Sequence, residues 1–506
     1  MPLRRQEKNA VSDLLRKGRL KSARKDVILF TSSAKDDKRI LKQIVDINKA
    51  HIVMLIENGI ISKNDGGKIL QALAGLEKKV KLRPEHEDAH VAIEEEVIKA
   101  AGEEIGGNLN LAKSRNDQVA TAIRMKLRQE ILEIAESIIN LQEALLRKAE
   151  ENIETVIPGY THLQPAQPIT FAHYLLAQFD ALQRDLERLQ EAYSRVNLCP
   201  MGAGALASTS FPIKRERVAD LLGFSGVLEN SLDAVSTRDF LLEALAILSI
   251  MAVDVTRIAE DLIVWSTMEF GIVELPDELA FTSSIMPQKK NPDVLEVIRA
   301  RMAQLIGDFV ASATLLKALP TGYNLDFQEA TPKLWSAAET AQRCLKMLSE
   351  VLLNVKVHSP LKFRSELSFL AATELANMLV REHNVPFRTA HSIIGAVVKH
   401  LLEEGKSLRD LKPEMLADVS RKLSGSPLVI DEEDLMRIVD LSRCVESYTV
   451  RGCPSKKEAK RMLRERWNLL TNSRRWIREK EDKLKSAEKT LNKEAAALVG
   501  KPSRKP

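Results

Sequence analysis

Two long apolar seams constrain the fold of this chain more than any other feature of its sequence. The first alternates steps of four and three residues and consists of Leu127, Ile131, Ile134, Ile138, Leu141 and Leu145. The second has the same spacing and consists of Leu175, Phe179, Leu182, Leu186, Leu189 and Tyr193. This heptad spacing predicts two long helices, over about 116–157 and 170–197, because a helix brings such residues onto one face.

Two more long helices are predicted further along the chain. Residues 239–270 are apolar on most sides, which is typical of a helix in the core of an assembly. Another helix is predicted after Asn291, which can cap it, with Pro292 at the first position and Asp293 in the first turn. Its apolar stripe consists of Val294, Ile298, Met302, Leu305, Phe309 and Leu316.

These patterns predict an all-α protein built on an elongated helical bundle. A helix of roughly 30 residues is about 45 Å long. Because such a bundle carries more apolar surface than one chain buries, we expect subunits to pack helix against helix, with the two heptad seams between them. We divide the chain into an N-terminal helical domain (1–111), a central long-helix bundle (112–360), a C-terminal helical domain (361–454) and a basic helical tail (455–506).

The tail differs from the rest of the chain in its charge. Residues 456–506 contain 17 Lys and Arg against 7 Asp and Glu, so the remainder nets −5 although the whole chain carries +5. The plain interpretation is a solvated surface helix. Binding of nucleic acid through the tail is the weaker alternative, which salt-sensitive association would reveal.

Cysteine usage and hydropathy predict a soluble cytoplasmic protein. Cys199, Cys344, Cys444 and Cys453 are far apart and form no C-x-x-C pair, so we expect reduced thiols rather than a zinc site or a disulfide framework. Residues 1–10 lack the apolar core of a signal peptide. Residues 241–253 form the longest apolar stretch, which contains an acidic residue and is too short to span a bilayer.

Three segments at predicted helix boundaries have a different composition, and free backbone N–H groups at such boundaries can bind anions. Residues 113–118, Lys-Ser-Arg-Asn-Asp-Gln, combine donors that suit a carboxylate ligand, although a capped, salt-bridged helix start explains them equally well. Residues 159–168 form a turn-rich loop that contains His162. An imidazole transfers protons near neutral pH, but a loop histidine can also be an ordinary hydrogen-bonding residue.

The third segment, residues 281–291, places two serines and two lysines ahead of a helix start. A serine hydroxyl becomes a base only where cations and backbone N–H groups stabilise its oxyanion. Lys289, Lys290 and the helix start can supply that stabilisation. A polar surface loop is the alternative interpretation.

This segment carries a resemblance to a known family. Residues 283–291, Ser-Ser-Ile-Met-Pro-Gln-Lys-Lys-Asn, resemble the pattern S-S-x-M-P-x-K-x-N of the fumarase/aspartase superfamily. The continuation through Asp293 resembles the argininosuccinate lyase branch, since adenylosuccinate lyases typically carry Arg where Lys290 stands. Residues 114–119, 158–168, 230–236, 259–262, 323–329 and 385–391 resemble further motifs of that branch, so that the likeness covers about 32–463.

The resemblance implies an all-α, fumarase/aspartase-like fold and a homotetramer whose sites are each built from three chains. It implies reversible β-elimination of argininosuccinate to L-arginine and fumarate, with no metal or organic cofactor and no membrane partner. Ser283 is then the base that removes a proton beside a carboxylate, and Lys289 stabilises the resulting dianion together with Asn291. His162 acts on the leaving-group side with Thr161, and Glu296 orients His162.

The same resemblance implies a set of substrate-contacting residues. They are Ser33, Arg115, Asn116, Thr161, Ser284, Asn291, Tyr323 and Gln328. The chain departs from the family pattern at a few positions near them. Asn110 and Thr237 stand where the family often has His and Asp, Phe281-Thr282 replaces Thr-Gly, and Thr331 replaces a Lys that contacts substrate.

These departures concern the substrate pocket more than the elimination machinery, and they leave two alternatives open. The chain can be another fumarate-releasing lyase, similar to adenylosuccinate lyase. It can also be a non-catalytic structural protein, since this fold has been reused as a crystallin.

Overall fold

The computed structural model describes residues 23–83 and 85–499 and is dominated by helices, so the predicted all-α fold is confirmed. The α-helices are α1 Lys25–Thr31, α2 Leu41–Glu57, α3 Lys63–Leu73, α4 Ala89–Ala101, α5 Glu103–Gly106, α6 Arg115–Glu151, α7 Phe171–Val196, α8 Arg215–Leu221, α9 Ser231–Ser236, α10 Asp239–Trp265, α11 Asp293–Leu316, α12 Phe327–Asn354, α13 Ala372–His383, α14 Phe387–Glu403, α15 Pro413–Ser424, α16 Glu432–Val439, α17 Leu441–Glu446 and α18 Lys456–Leu498. Along the described residues, no helix combines the length and the hydropathy needed to cross a membrane.

Three short antiparallel strand pairs interrupt the helices. They are β1 Val156–Thr161 with β2 Gln164–Thr170, β3 Val273–Glu274 with β6 Lys356–Val357, and β4 Phe281–Thr282 with β5 Lys290–Asn291. The β1–β2 hairpin occupies the segment for which the sequence indicated only a turn-rich loop. Pro158 and Pro168 lie opposite each other in it, and because proline has no N–H this pairing hides the usual strand pattern.

The two heptad seams pack against neighbouring helices inside the chain. Every residue of the first seam, on α6, is at most 1% exposed, and every residue of the second, on α7, is at most 3% exposed. Helices α7, α12 and α18 all contact α6. The prediction that these seams pack between subunits is therefore wrong, because a narrow apolar seam is fully satisfied by partners within one bundle.

Surplus apolar surface lies instead on α10 and α11, which pack against each other along their length. Ile250 and Val253 on α10 are 42% and 50% exposed, and Val297, Ile306 and Val310 on α11 are 44%, 41% and 56% exposed. Branched apolar side chains exposed on two adjacent helices are typical of an interaction surface.

The start of α11 differs from its prediction. Asn291 does not cap the helix, because it is paired with Phe281 at the end of the β4–β5 hairpin. Pro292 occupies the capping position, and α11 begins at Asp293. The apolar stripe of the helix is partly as predicted, with Ile298, Met302 and Leu305 buried.

The length of the bundle helices separates the functional segments. Helix α6 has 37 residues and therefore spans about 55 Å at 1.5 Å per residue. The 113–118 segment lies at its N-terminus, and the β1–β2 hairpin follows its C-terminus. Helix α10, with 27 residues, spans about 40 Å between Arg238 and the segment that leads to β4.

Two large hydrophobic cores and one small cluster, Ala203 with Ala234 and Val235, are found among the described residues. The largest core contains α2, α6, α7, α10 and α12 together with the apolar side of α18, and the second is formed by residues 361–445 together with Val156. We propose on this basis that residues 361–454 form a separate C-terminal domain. On α18, Leu470, Ile477 and Leu491 are buried while most of the charged residues remain in solvent.

Residues 471–498 of α18 pack on α6 and α7. Trp476 packs edge-on against Tyr193 at 5.5 Å between ring centroids, and Arg474 forms an ion pair with Glu143. We expect a chain truncated after Leu470 to keep its turnover number but to melt several degrees lower, because Ile477 and Leu491 are lost from the core. A chain that ends at Leu498 is the matched control. Loss of turnover in a truncated protein that keeps its oligomeric state would contradict this expectation.

Candidate active site

The 113–118 segment is held rigidly at the start of α6. Ser114 Oγ accepts a hydrogen bond from the N–H of Asn116 at 3.3 Å, and Asp117 Oδ1 accepts one from the N–H of Ser114 at 3.1 Å. This reciprocal arrangement is a capping box. Asp117 Oδ2 also accepts from the N–H groups of Gly202 and Gly204 at 3.1 and 2.8 Å. The Asp117 carboxylate thus joins the segment to a glycine loop.

Buried ionisable groups hold the 113–118 segment in place. Burial raises the pKa of Asp117 to about 6 and lowers the pKa of Lys113 to about 7. The ammonium of Lys113 bonds to Asn48 Oδ1 on α2. Burial also lowers the pKa of His51, whose Nε2 lies 2.7 Å from the carbonyl of Leu111, to about 3. The backbone of 111–117 is therefore fixed before any ligand binds.

Arg115 and Asn116 project from this rigid start and are already oriented. Arg115 Nη1 lies 2.9 Å from Glu87 Oε1 and 3.0 Å from Asp88 Oδ2. Asn116 Nδ2 donates to the carbonyl of Ala205 at 3.1 Å. An oriented guanidinium beside an amide is suited to a carboxylate ligand.

Ser33, Tyr323 and Gln328 join the same cluster from other parts of the chain. Ser33 Oγ donates to Asp37 Oδ2 at 2.9 Å, and Gln328 Nε2 donates to the carbonyl of Thr31 at 2.8 Å. Burial raises the pKa of Tyr323, and the charges nearest to it are those of Arg238, Asp88, Arg115 and Asp37. The structure thus brings together five of the residues assigned to substrate contact, which we call the binding cluster: Ser33, Arg115, Asn116, Tyr323 and Gln328.

Arg238 was missed from the sequence although it lies beside the binding cluster. It is 3% exposed, and its guanidinium lies over the Phe327 ring at 4.3 Å. Its Nη1 donates to the carbonyls of Val235 and Thr237, but Nε and Nη2 have no partner among the described residues. Two unpaired donors on a buried cation can bind a carboxylate. The available signal was an arginine directly before a long apolar helix.

Asp37 and Asp88 were also missed. Asp88 caps α4 by accepting from the N–H of Val91, and Asp37 Oδ2 accepts from the N–H of Ala89. Burial, with the charge of Asp88 nearby, raises the pKa of Asp37 to about 6. Their signal in the sequence was only a short acidic run, which is usually a solvated surface.

His162 lies at the tip of the β1–β2 hairpin, far from the binding cluster. Thr161 pairs with Gln164, which leaves His162 and Leu163 as a two-residue loop with φ of 55° and 57°. Positive φ at both loop residues is the geometry of a type I′ hairpin turn. Thr161 and His162 are exposed, and none of the described residues forms a hydrogen bond or an ion pair with the His162 side chain.

Ser283 lies in the loop between β4 and β5. Its Oγ accepts from the N–H groups of Ile285 and Met286 at 3.3 and 3.2 Å. Two backbone donors aimed at one oxygen favour a negative charge on it. Lys290 is held by Asp277 and Glu274 at 2.7 and 3.3 Å. Ser284 and Lys289 are exposed, and across the described chain neither side chain has a hydrogen-bonding partner.

One chain therefore presents its functional groups at two ends of the bundle. The binding cluster lies at the N-terminal end of α6, whereas the hairpin follows the other end, about 55 Å away along the helix. Near that hairpin, Tyr160 packs on Phe270, which precedes β3 and the Ser283 loop. Glu296 makes no side-chain contact with His162 among the described residues, so its orienting role stays a prediction.

The described residues contain no group of three or more His, Cys, Asp or Glu side chains arranged to hold a metal ion. The unpaired Nε and Nη2 donors of Arg238 instead favour an anionic ligand.

Comparison with known proteins identifies the family. A lyase family model matches residues 21–307, and the argininosuccinate lyase C-terminal model matches residues 369–446. A protein named argininosuccinate lyase from Methanocaldococcus jannaschii is 43% identical over 89% of this chain and 93% of its own length. One of the same name from Methanosarcina mazei is 42% identical over 90% and 93%.

The chain belongs to the argininosuccinate lyase family. It is therefore an enzyme of the lyase class. Among solved structures, an EDDS lyase in complex with formate matches with a TM-score of 0.85 and 28% identity over 94% of this chain and 96% of that chain. A class II fumarase from Schistosoma mansoni matches with a TM-score of 0.68 at 17% identity, over 83% and 94%, which supports the fold alone. The family resemblance is confirmed.

The role of the Asp117 carboxylate in the capping box of this argininosuccinate lyase family member can be tested by substitution. We expect Asp117→Asn to raise KM at least tenfold and to cost roughly 1–3 kcal/mol of stability, because an amide places a donor against backbone N–H groups. Steady-state kinetics and thermal melting measure both effects. Asp185→Asn is the matched control, since Asp185 is also 0% exposed but lies on α7. An unchanged KM in Asp117→Asn would show that the carboxylate does not position the segment.

Proposed function

We propose that the chain catalyses the reversible β-elimination of argininosuccinate to L-arginine and fumarate, as a cytoplasmic step of arginine biosynthesis. Relatives named argininosuccinate lyase at 40–43% identity, which cover most of the chain, support the substrate. The observation that carries the chemistry is the Ser283 oxygen, which faces two backbone N–H groups in the loop that matches the family signature.

In the proposed reaction, Ser283 Oγ removes a proton from the carbon beside a carboxylate of the succinyl group. The N–H groups of Ile285 and Met286 stabilise the serine oxyanion that this step requires. Negative charge then moves onto the neighbouring carboxylate, where Lys289 and Asn291 stabilise the dianion. Because the side chain of Lys289 has no partner among the described residues, it is available for this role.

The second half of the reaction breaks the carbon–nitrogen bond. The electron pair of the carbanion forms the double bond of fumarate, and the pair of the broken bond leaves with the guanidino nitrogen of arginine. His162, with Thr161, acts at this departing side, where a proton must reach the nitrogen. Glu296 of another subunit would orient the imidazole.

The binding cluster recognises the charged substrate. Argininosuccinate carries three carboxylates against two cationic groups, and the donors of Arg115, Asn116, Arg238 and Gln328 suit carboxylates. Tyr323 and Ser33 complete the polar lining, and Ser284 contributes from the catalytic loop. The cationic and amide donors at this site thus complement the carboxylates of argininosuccinate, which supports its assignment as the substrate.

The geometry supports a homotetramer with shared sites as part of this proposal. The binding cluster lies about 55 Å along α6 from the His162 hairpin, so one chain cannot place both on one substrate. The exposed apolar face of α10 and α11 supports packing against other copies. Antiparallel packing of these helices would bring the Ser283 loop of one copy to the binding cluster of another.

Another fumarate-releasing lyase remains the second candidate. Position 331 carries no cation, and Thr331 Oγ1 instead donates to the carbonyl of Phe327 at 3.1 Å. Because the structure also matches an EDDS lyase, EDDS is a third substrate to compare. Purified protein is to be incubated with argininosuccinate, adenylosuccinate and EDDS while fumarate is measured. Release from argininosuccinate at a kcat/KM well above the others supports the proposal, whereas release from none favours the crystallin-like alternative.

The Ser283→Ala variant tests the base. We expect kcat to fall by about 10³-fold or more, because the group that takes the proton is absent, while substrate still binds with an affinity within a few fold. Rapid kinetics and equilibrium binding measure the two quantities. Near-wild-type turnover would reject the assignment.

Mixing two inactive variants tests the shared site. We expect His162→Asn chains and Ser283→Ala chains to recover part of the activity after subunit exchange, because a mixed tetramer builds some sites from undamaged parts. Each variant treated alone is the control. Absence of recovery after verified exchange would count against sharing.

A further inference from the structure

The hairpin that carries His162 lies between two hydrophobic cores. Val156 and Ile157 are neighbours on β1, so their side chains point to opposite faces of the strand. Val156 is 6% exposed and belongs to the core of the C-terminal domain, whereas Ile157 is 0% exposed and belongs to the main core. The base of the hairpin is therefore clamped between the two domains.

The C-terminal domain meets the rest of the chain mainly at this hairpin. The 3-10 helices Pro360–Lys362 and Ser365–Ala371 pack on β1 and β2 respectively, and α17 packs on both strands. Ser359 Oγ donates to the carbonyl of Val156 at 2.7 Å. A cavity of about 630 Å³, lined in part by Thr155, Ser359, Arg409 and Leu441, borders this junction.

The opposite face of the hairpin packs against the central bundle. Phe171 N donates to the carbonyl of Thr155 at 2.9 Å, and the Tyr160 ring packs on Phe270 at 5.1 Å between centroids. His162 lies about 20 Å beyond Val156 at roughly 3.3 Å per residue. Within one chain its side chain has no partner among the described residues, so the position of His162 follows the orientation of the hairpin, and a small rotation at the base is amplified at the tip.

We infer that Val156 and Ser359 are positioning residues for His162, and that the C-terminal domain holds the hairpin in the orientation that the reaction requires. This inference rests on the proposed role of His162. It predicts a specific kinetic signature. The binding cluster is on other elements, and Thr161 is the one expected substrate contact of β1. Substrate affinity should therefore change little, whereas a displacement of about 1 Å at a reacting group can lower the rate about 10²-fold.

The test uses the Val156→Ala/Ser359→Ala double variant of the full chain. We expect kcat to fall at least tenfold while KM changes less than threefold. We also expect the kcat–pH profile to become less steep on the limb that disappears in His162→Asn. Ser359→Thr keeps the hydroxyl. The Val156→Ala/Ser359→Thr variant should therefore recover part of the kcat that the double alanine variant loses. Leu416→Ala is the matched control, because Leu416 is 0% exposed in the same domain core but lies on α15, away from the hairpin.

The outcomes separate the inference from the proposed function. Leu416→Ala should lower the melting temperature to a similar extent while kcat stays within twofold. A double variant with wild-type kcat overturns the inference, and so does an equal loss of kcat in Leu416→Ala, since the effect would then be one of stability. If His162→Asn itself remains fully active, the proposed role of His162 fails instead.

Discussion

The mutual burial of the α6 and α7 seams is the constraint on which the rest of the structure depends. Each seam is satisfied inside the chain, so the two helices form a rigid rod about 55 Å long. Both chemically distinctive segments of this region are attached to its ends, the Ser114–Asp117 capping box at one and the His162 hairpin at the other. The scaffold fixes each segment locally and, by its length, keeps them apart within one chain.

Electrostatics follow from the same division. At the binding end, cations and carboxylates are buried together, so Lys113, Asp37 and Asp117 all have displaced pKa values. Burial of these groups is tolerated because backbone N–H groups and paired side chains surround them. At the other end, His162 and Ser283 lie in exposed turns and make few contacts. The proposed binding groups are thus preorganised within one chain, whereas the proposed reacting groups have few neighbours.

Much of this was readable from the sequence, for identifiable reasons. Helix α7 was predicted over 170–197 and spans Phe171–Val196, because its apolar period is strong and Pro and Gly flank it. The hairpin was not predicted, since paired prolines remove the strand pattern. Each seam was predicted to pack between subunits but packs inside the chain. A heptad period predicts that a helix packs against another helix, but it does not identify that helix. Arg238 was missed because only the fold places it beside Tyr323 and Phe327.

The separation of the two ends has a consequence for how activity depends on association. Under the proposed assignment, one chain carries every reacting and binding residue but cannot align them on one substrate, since α6 and α10 hold them tens of ångströms apart. Exposed apolar residues on α10 and α11 supply the surface through which other copies can close that gap. Under the proposed tetramer, assembly and catalysis would draw on the same two helices, and a substitution on their outer face, such as at Val253 or Val310, would abolish activity while leaving the chain folded.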